Sequence, residues 1–138
     1  MKICVDASLV IKVLALEKGS QQAATLFNTW RQANHQLMGP SLLDYEVSNA
    51  IHKKLLSGEI EHKRLYNVYS LYSQLNLIIL HQTHLLPEIL PATASLEQKA
   101  IYDSSYLILA KQQDIDLITA DYRFYRAAHP SFPFVKYY

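Results

Sequence analysis

With a single cysteine, Cys4, the chain can form no intrachain disulfide, and zinc sites built on cysteine pairs are excluded. Cys4 lies in the apolar run "KICV", where a buried, inert thiol is the expected role. Glycine and proline are scarce, and no Ser-rich, Gln-rich or repeated segment occurs, which argues against disorder. The longest apolar runs, such as "LNLIIL" and "YLILA", fall far short of a membrane span. The first residues lack the basic, apolar and small-residue succession of a signal peptide, so the expectation is a cytoplasmic protein. An excess of charge is also missing. A formal net charge of +1 gives no global attraction for a polyanion, which would have to be held by local patches or bound cations.

Half of the residues are apolar, and 138 residues suffice for one sizeable core, so one domain over 1–138 is expected. "KICVD" reads as a strand that leads directly into a helix, "ASLVIKVLALEKG", stopped by a glycine. "SQQAATLFNTWRQANH" predicts a second helix with Ala24, Phe27 and Trp30 turned inward, and "QLMGP" a short strand. "SLLDYEVSNAIHKKLLSG" reads as a helix opened by a Ser-x-x-Asp variant of the capping box and closed by Gly58. Its apolar stripe runs through Leu43, Val47, Ala50 and Ile51. "EIEHKRLYNVYSLYSQLN" predicts a further helix with Leu65, Val68, Tyr69, Tyr72 and Leu75 inward, followed by "LIIL" as a buried strand. A helix near Thr83 accepts Pro87 in its first turn, whereas Pro91 is expected to kink or end it. A helix through Lys111, a strand "DLIT", a helix "DYRFYRAAH" and an edge strand in "FPFVKYY" complete the order. Strands alternating with helices imply an α/β fold with a parallel sheet covered on both faces.

Asp103 stands out in "KAIYDSSYLILAKQ" because Tyr106, Leu107 and Ala110 follow it at helical spacing, which turns its carboxylate inward. Either it caps the helix or it belongs to a site. In a parallel sheet, ligands bind beyond the carboxyl ends of the strands, where Asp6 and Asp121 both fall. Glu46 lies beside the inward stripe of its helix. Four carboxylates brought together would repel one another without a cation, and all-oxygen sets of this kind suit Mg²⁺ or Mn²⁺ and phosphoryl chemistry.

"VDASLVIK", "GPSLLDYEVSNAI", "IYDSSYLILA" and "LITAD" together resemble the PIN domain family, most closely the VapC-type toxins of bacterial toxin–antitoxin pairs. The resemblance covers essentially the whole chain. It implies a three-layer α/β/α sandwich and a metal-dependent endoribonuclease whose products carry 5′-phosphate and 3′-hydroxyl ends. Asp6, Glu46, Asp103 and Asp121 match the family's acids, and Ser8 and Thr119 match its small hydroxyl residues. A homodimer is implied, as is a cognate antitoxin whose tail covers the acids. The proline-broken stretch between Leu86 and Leu96 departs from the family pattern.

Two other readings stand beside this one: a phosphatase of the haloacid dehalogenase type and a catalytically silent interaction module. The phosphatase requires a second Asp two residues after the first, where Ser8 stands. His81 and His84 in "HQTH" have no further clustered ligand and read as surface or cap residues. Tyr66, Tyr69 and Tyr72 suggest base stacking, but Tyr69 and Tyr72 fit the inward stripe of their helix, so core or subunit-interface packing is expected. Among Lys53, Lys54, Lys63, Arg64, Arg123 and Arg126, only the two arginines after Asp121 fall near the proposed rim.

Overall fold

The computed structural model describes residues 1–138. Five short strands, β1 (Lys2–Val5), β2 (Gln36–Pro40), β3 (Ile78–Leu80), β4 (Leu117–Thr119) and β5 (Val135–Tyr137), pair entirely in parallel in the order β3-β2-β1-β4-β5. Parallel neighbours need crossovers, and seven helices supply them: α1 (Ala7–Leu14), α2 (Ser20–Gln32), α3 (Leu42–Leu56), α4 (Leu65–Gln74), α5 (Leu86–Ser95), α6 (Tyr102–Gln113) and α7 (Tyr122–Ala128). The result is the three-layer α/β/α sandwich that the pattern predicts. Helices α1 to α4 pack around α1 on one face, whereas α5 and α6 pack together, with α6 laid across β1, β2 and β4. Right-handed crossovers put these groups on opposite faces, because the chain runs outward from β1 to β3 and then returns to β4. No helix is long and apolar enough to cross a membrane.

The central position of α6 explains its composition. Every residue from Ser104 to Ala110 is buried, since one side of the helix meets the sheet and another meets α5. Cys4 is buried in β1 beside it. Burial, with the charge of Asp6, pushes the thiol far above its usual range and leaves it inert.

Several sequence expectations change in detail. α1 stops at Leu14 and does not reach the glycine; Gly19 has φ 89° and instead turns the chain into α2. In α2, Ala23 rather than Ala24 joins Phe27 and Trp30 in the core. Ser41 forms no capping box. Its backbone is helical, its N–H bonds to the carbonyl of Leu80, and Asp44 accepts from the Tyr72 hydroxyl instead. The segment before α4 is a 3₁₀ turn over His62–Arg64, and Leu65 and Tyr69 are exposed, so the inward stripe reduces to Val68 with partly buried Tyr72 and Leu75. Strand β3 is not buried, because it forms an edge of the sheet. Pro91 lies inside α5 without ending it. Pro87 and Pro91 are both exposed, so water can take the carbonyl that lacks a helical donor.

Candidate active site

The strand order reverses between β1 and β4, which makes the crevice at their carboxyl ends the topological switch point of the sheet. Asp6 follows β1 directly, and Asp121 lies two residues beyond β4. Hydroxyls join the two strand ends. Ser8 Oγ donates to Asp6 Oδ2 at 2.9 Å and accepts from the Ala120 N–H at 3.0 Å. Thr119 Oγ1 also donates to Asp6 Oδ2 and accepts from the Asp121 N–H at 2.9 Å. The Ser8 N–H adds a third bond to Asp6, at 3.2 Å. Each hydroxyl thus holds a carboxylate on one side of the crevice and backbone on the other.

The other acids arrive from the two helical layers. Glu46, in the second turn of α3, accepts from the hydroxyl of Tyr106 at 2.9 Å. Asp103, in the first turn of α6, accepts from Gln98 Nε2 at 2.7 Å, and Ser104 Oγ donates to Gln98 Oε1 at 3.2 Å. Asp103 therefore does not cap α6; Ile101 is the cap residue, and no side chain caps the helix. Asp6 and Asp121 do cap their helices. Asp121 Oδ1 accepts from the N–H groups of Arg123 at 2.8 Å and Phe124 at 3.1 Å. Capping and membership of the rim coexist in these two residues.

Electrostatics tie the four together. Burial raises the pKa of Asp6, its three hydrogen bonds oppose the rise, and the charge of Asp121 adds to it. Glu46 is pushed up to about 7, mainly by burial, with further contributions from Asp6 and Asp103 against the Tyr106 bond. Asp103 is pushed up to about 6 by burial and by the charges of Asp6 and Asp121, against the Gln98 bond. Asp6, Glu46 and Asp103 each feel the charge of at least one other acid of the set.

The donor set fits a hard divalent cation: it is all oxygen, anionic and mutually repelling. Glu46 Oε2, Asp103 Oδ1 and Asp121 Oδ2 carry no hydrogen bond and remain available as ligands. No three His, Cys, Asp or Glu side chains are already gathered closely enough to hold an ion. Binding therefore requires side-chain rotation within a rim whose backbone is already placed. His81 and His84 gain no partner ligand from the fold. Lys54 and Lys63 are engaged by glutamates, while Arg123 and Arg126 are exposed immediately after Asp121. A cavity of about 620 Å³, lined partly by Lys2, Asp114 and Asp116, lies at the opposite, amino end of the strands.

Tyr106 and Gln98 are the polar partners that sequence reasoning missed. Tyr106 reads as part of an apolar stripe, and its place three residues after Asp103 was the available signal. Gln98 lies outside regular structure, where no periodicity singles it out.

A model of the PIN domain matches residues 3–130 of the chain. The crystal structure of PAE2754 from Pyrobaculum aerophilum superposes with a TM-score of 0.70 at 20% identity, over 92% of this chain and 79% of that one. That likeness is one of fold. No curated protein sequence matches the chain.

Proposed function

The chain belongs to the PIN domain family, and from that premise we propose that it is a metal-dependent endoribonuclease, a single domain over 1–138 acting as the toxin of a toxin–antitoxin pair. The observation that carries this reading is the convergence of Asp6, Glu46, Asp103 and Asp121, from four separate elements, at the switch point of the sheet. These four residues would hold one or two Mg²⁺ or Mn²⁺ ions, directly or through water. When bound, the ion supplies a water of lowered pKa and offsets negative charge on the scissile phosphate.

The chain's own residues contribute orientation. Ser8 and Thr119 favour the ionised form of Asp6 against its burial and fix the direction of its Oδ2. Tyr106 and Gln98 each hold one oxygen of Glu46 and Asp103, which leaves the other oxygen free to turn toward an ion. The N-terminus of α7 does the same for Asp121. Hydrolysis of this kind leaves a 5′-phosphate and a 3′-hydroxyl. An antitoxin covering the acids and a second copy of the chain are the protein partners this reading calls for. Exposed Leu65, Tyr66 and Tyr69 on α4, beside an apolar groove lined by Val47, Ile51 and Val68, support a protein partner.

Cleavage of labelled RNA tests the proposal. Wild type should cut with Mg²⁺ or Mn²⁺ and stop in EDTA. Asp103→Asn and Glu46→Gln should lose at least about 100-fold while remaining folded, since removing a preorganised charge costs rates on that order. Cutting that persists in chelator, or full activity in Asp103→Asn, would overturn it.

A further inference from the structure

The short helix α7 carries two different stripes. Phe124 and Ala128 are buried and anchor it to the sheet, with Phe124 only 2% exposed. Tyr122, Tyr125 and His129 form a second stripe, in which Tyr125 is partly buried against the core and Tyr122 stands outside it. Tyr122 remains 55% exposed, and Tyr137 of β5, beside it, 49%. The rings form a continuous cluster. Tyr122 meets Tyr137 edge to face at 5.3 Å, Tyr125 lies 6.2 Å from Tyr122 and 5.7 Å from Tyr137, and His129 lies 4.9 Å from Tyr125. The guanidinium of Arg126 stands 5.9 Å from the Tyr122 centroid.

Register fixes where this cluster lies. Tyr137 pairs with Thr119, the residue whose hydroxyl holds Asp6, so Tyr137 is level with the carboxyl rim of the sheet. Tyr122 directly follows Asp121. The aromatic surface is thus continuous with the acids, and its charge is opposite to theirs: Arg123 and Arg126 are exposed on the same helix. Exposed rings beside cations suit a polyanion that offers flat π faces, and unpaired nucleobases offer them where a duplex does not.

We propose that Tyr122 and Tyr137, backed by Tyr125, form a stacking platform for unpaired bases of the RNA beside Asp121, with Arg123 and Arg126 meeting the adjoining phosphates. This deepens the nuclease reading and rests on it. Under it, the chain acts on single-stranded segments, and the bases next to the scissile bond are held by stacking rather than by hydrogen-bond readout.

The test is fluorescence anisotropy with a labelled mixed-sequence single-stranded oligoribonucleotide and its duplex, using the Asp103→Asn chain over residues 1–138 with Mg²⁺. Tyr122→Ala and Tyr137→Ala should weaken single-strand binding by about 5- to 100-fold each. Tyr122→Phe, which keeps the ring, should bind within about twofold of its parent, while Tyr122→Leu, which keeps apolar bulk without a π face, should behave like Tyr122→Ala. Duplex should bind more weakly and respond little to any of them. Equal binding by folded Tyr122→Ala and Tyr122→Phe proteins would overturn the platform. So would a dimeric parent that becomes monomeric in Tyr122→Ala, since the rings would then serve a second copy. Cleavage measured in parallel in the otherwise wild-type protein separates the two ideas. No cleavage of any RNA by wild type would remove the nuclease, whereas normal cleavage with unchanged single-strand binding in the tyrosine variants would remove the platform alone.

Discussion

Asp6 is buried yet receives hydrogen bonds from Ser8 N–H, Ser8 Oγ and Thr119 Oγ1, and its neighbours Glu46 and Asp103 each receive one. Those bonds favour the ionised forms but do not cancel burial and mutual repulsion, so all three hold their protons more tightly in the folded protein than in the unfolded chain. Linkage sets the sign. A carboxyl whose folded pKa is raised makes a stabilising contribution that is full below its unfolded pKa and lost as pH rises through the folded value. For Glu46 the window runs from 4.5 to about 7. In EDTA, the urea midpoint of wild type should therefore fall between the lower and upper ends of that window, and Glu46→Gln should show a shallower fall, because its amide does not titrate. Identical pH profiles for the two proteins would contradict the raised Glu46 pKa.

At the level of elements, the acids that begin or end elements were legible in the sequence, whereas the groups that orient them were not. "KICVD" and "LITAD" announce β1 and β4 because a short apolar run stops at a carboxylate that then caps a helix, and both events leave a pattern. The Tyr106 hydroxyl reaches Glu46 sixty residues away, and no local pattern records a contact made only when α3 and α6, on opposite faces of the sheet, are both in place. Edge position was equally invisible: "LIIL" has the composition of a central strand, and only the sheet order leaves β3 half-covered. Pro91 shows propensity overridden by context. It remains within α5, on an exposed face, because Ile89, Ala92 and Thr93 bury the opposite face. Restoring the missing N–H should then stabilise the protein. Pro91→Ala is expected to raise stability by about 1–3 kcal/mol, the order of an interior proline's cost in a helix. A thermal melt checks this, and a lower melting temperature in Pro91→Ala would mean that the ring's packing outweighs the lost bond.

The candidate site can be assembled only at the scale of the whole molecule. β1 and the β4–α7 turn supply Asp6 and Asp121, one helical layer supplies Glu46, the other supplies Asp103, and no fragment contains all four. Charge stored in such an assembly is felt by the entire fold, so the central claim, that the four carboxylates act as one cation site, is testable through global stability. The most direct measurement is a set of thermal melts near neutral pH, wild type and Asp103→Asn, each with EDTA or Mg²⁺ at matched ionic strength. Asn keeps the shape and can still accept from Gln98, so the substitution removes charge and little else. Without the ion, Asp103→Asn should melt above wild type, because one source of repulsion is gone. With millimolar affinity, about 10 mM Mg²⁺ should stabilise wild type by roughly 1.4 kcal/mol, a rise of roughly 5 °C for a chain of this length, and the variant by much less. An unchanged melting point in EDTA, together with the same Mg²⁺ response in both proteins, would contradict the shared site.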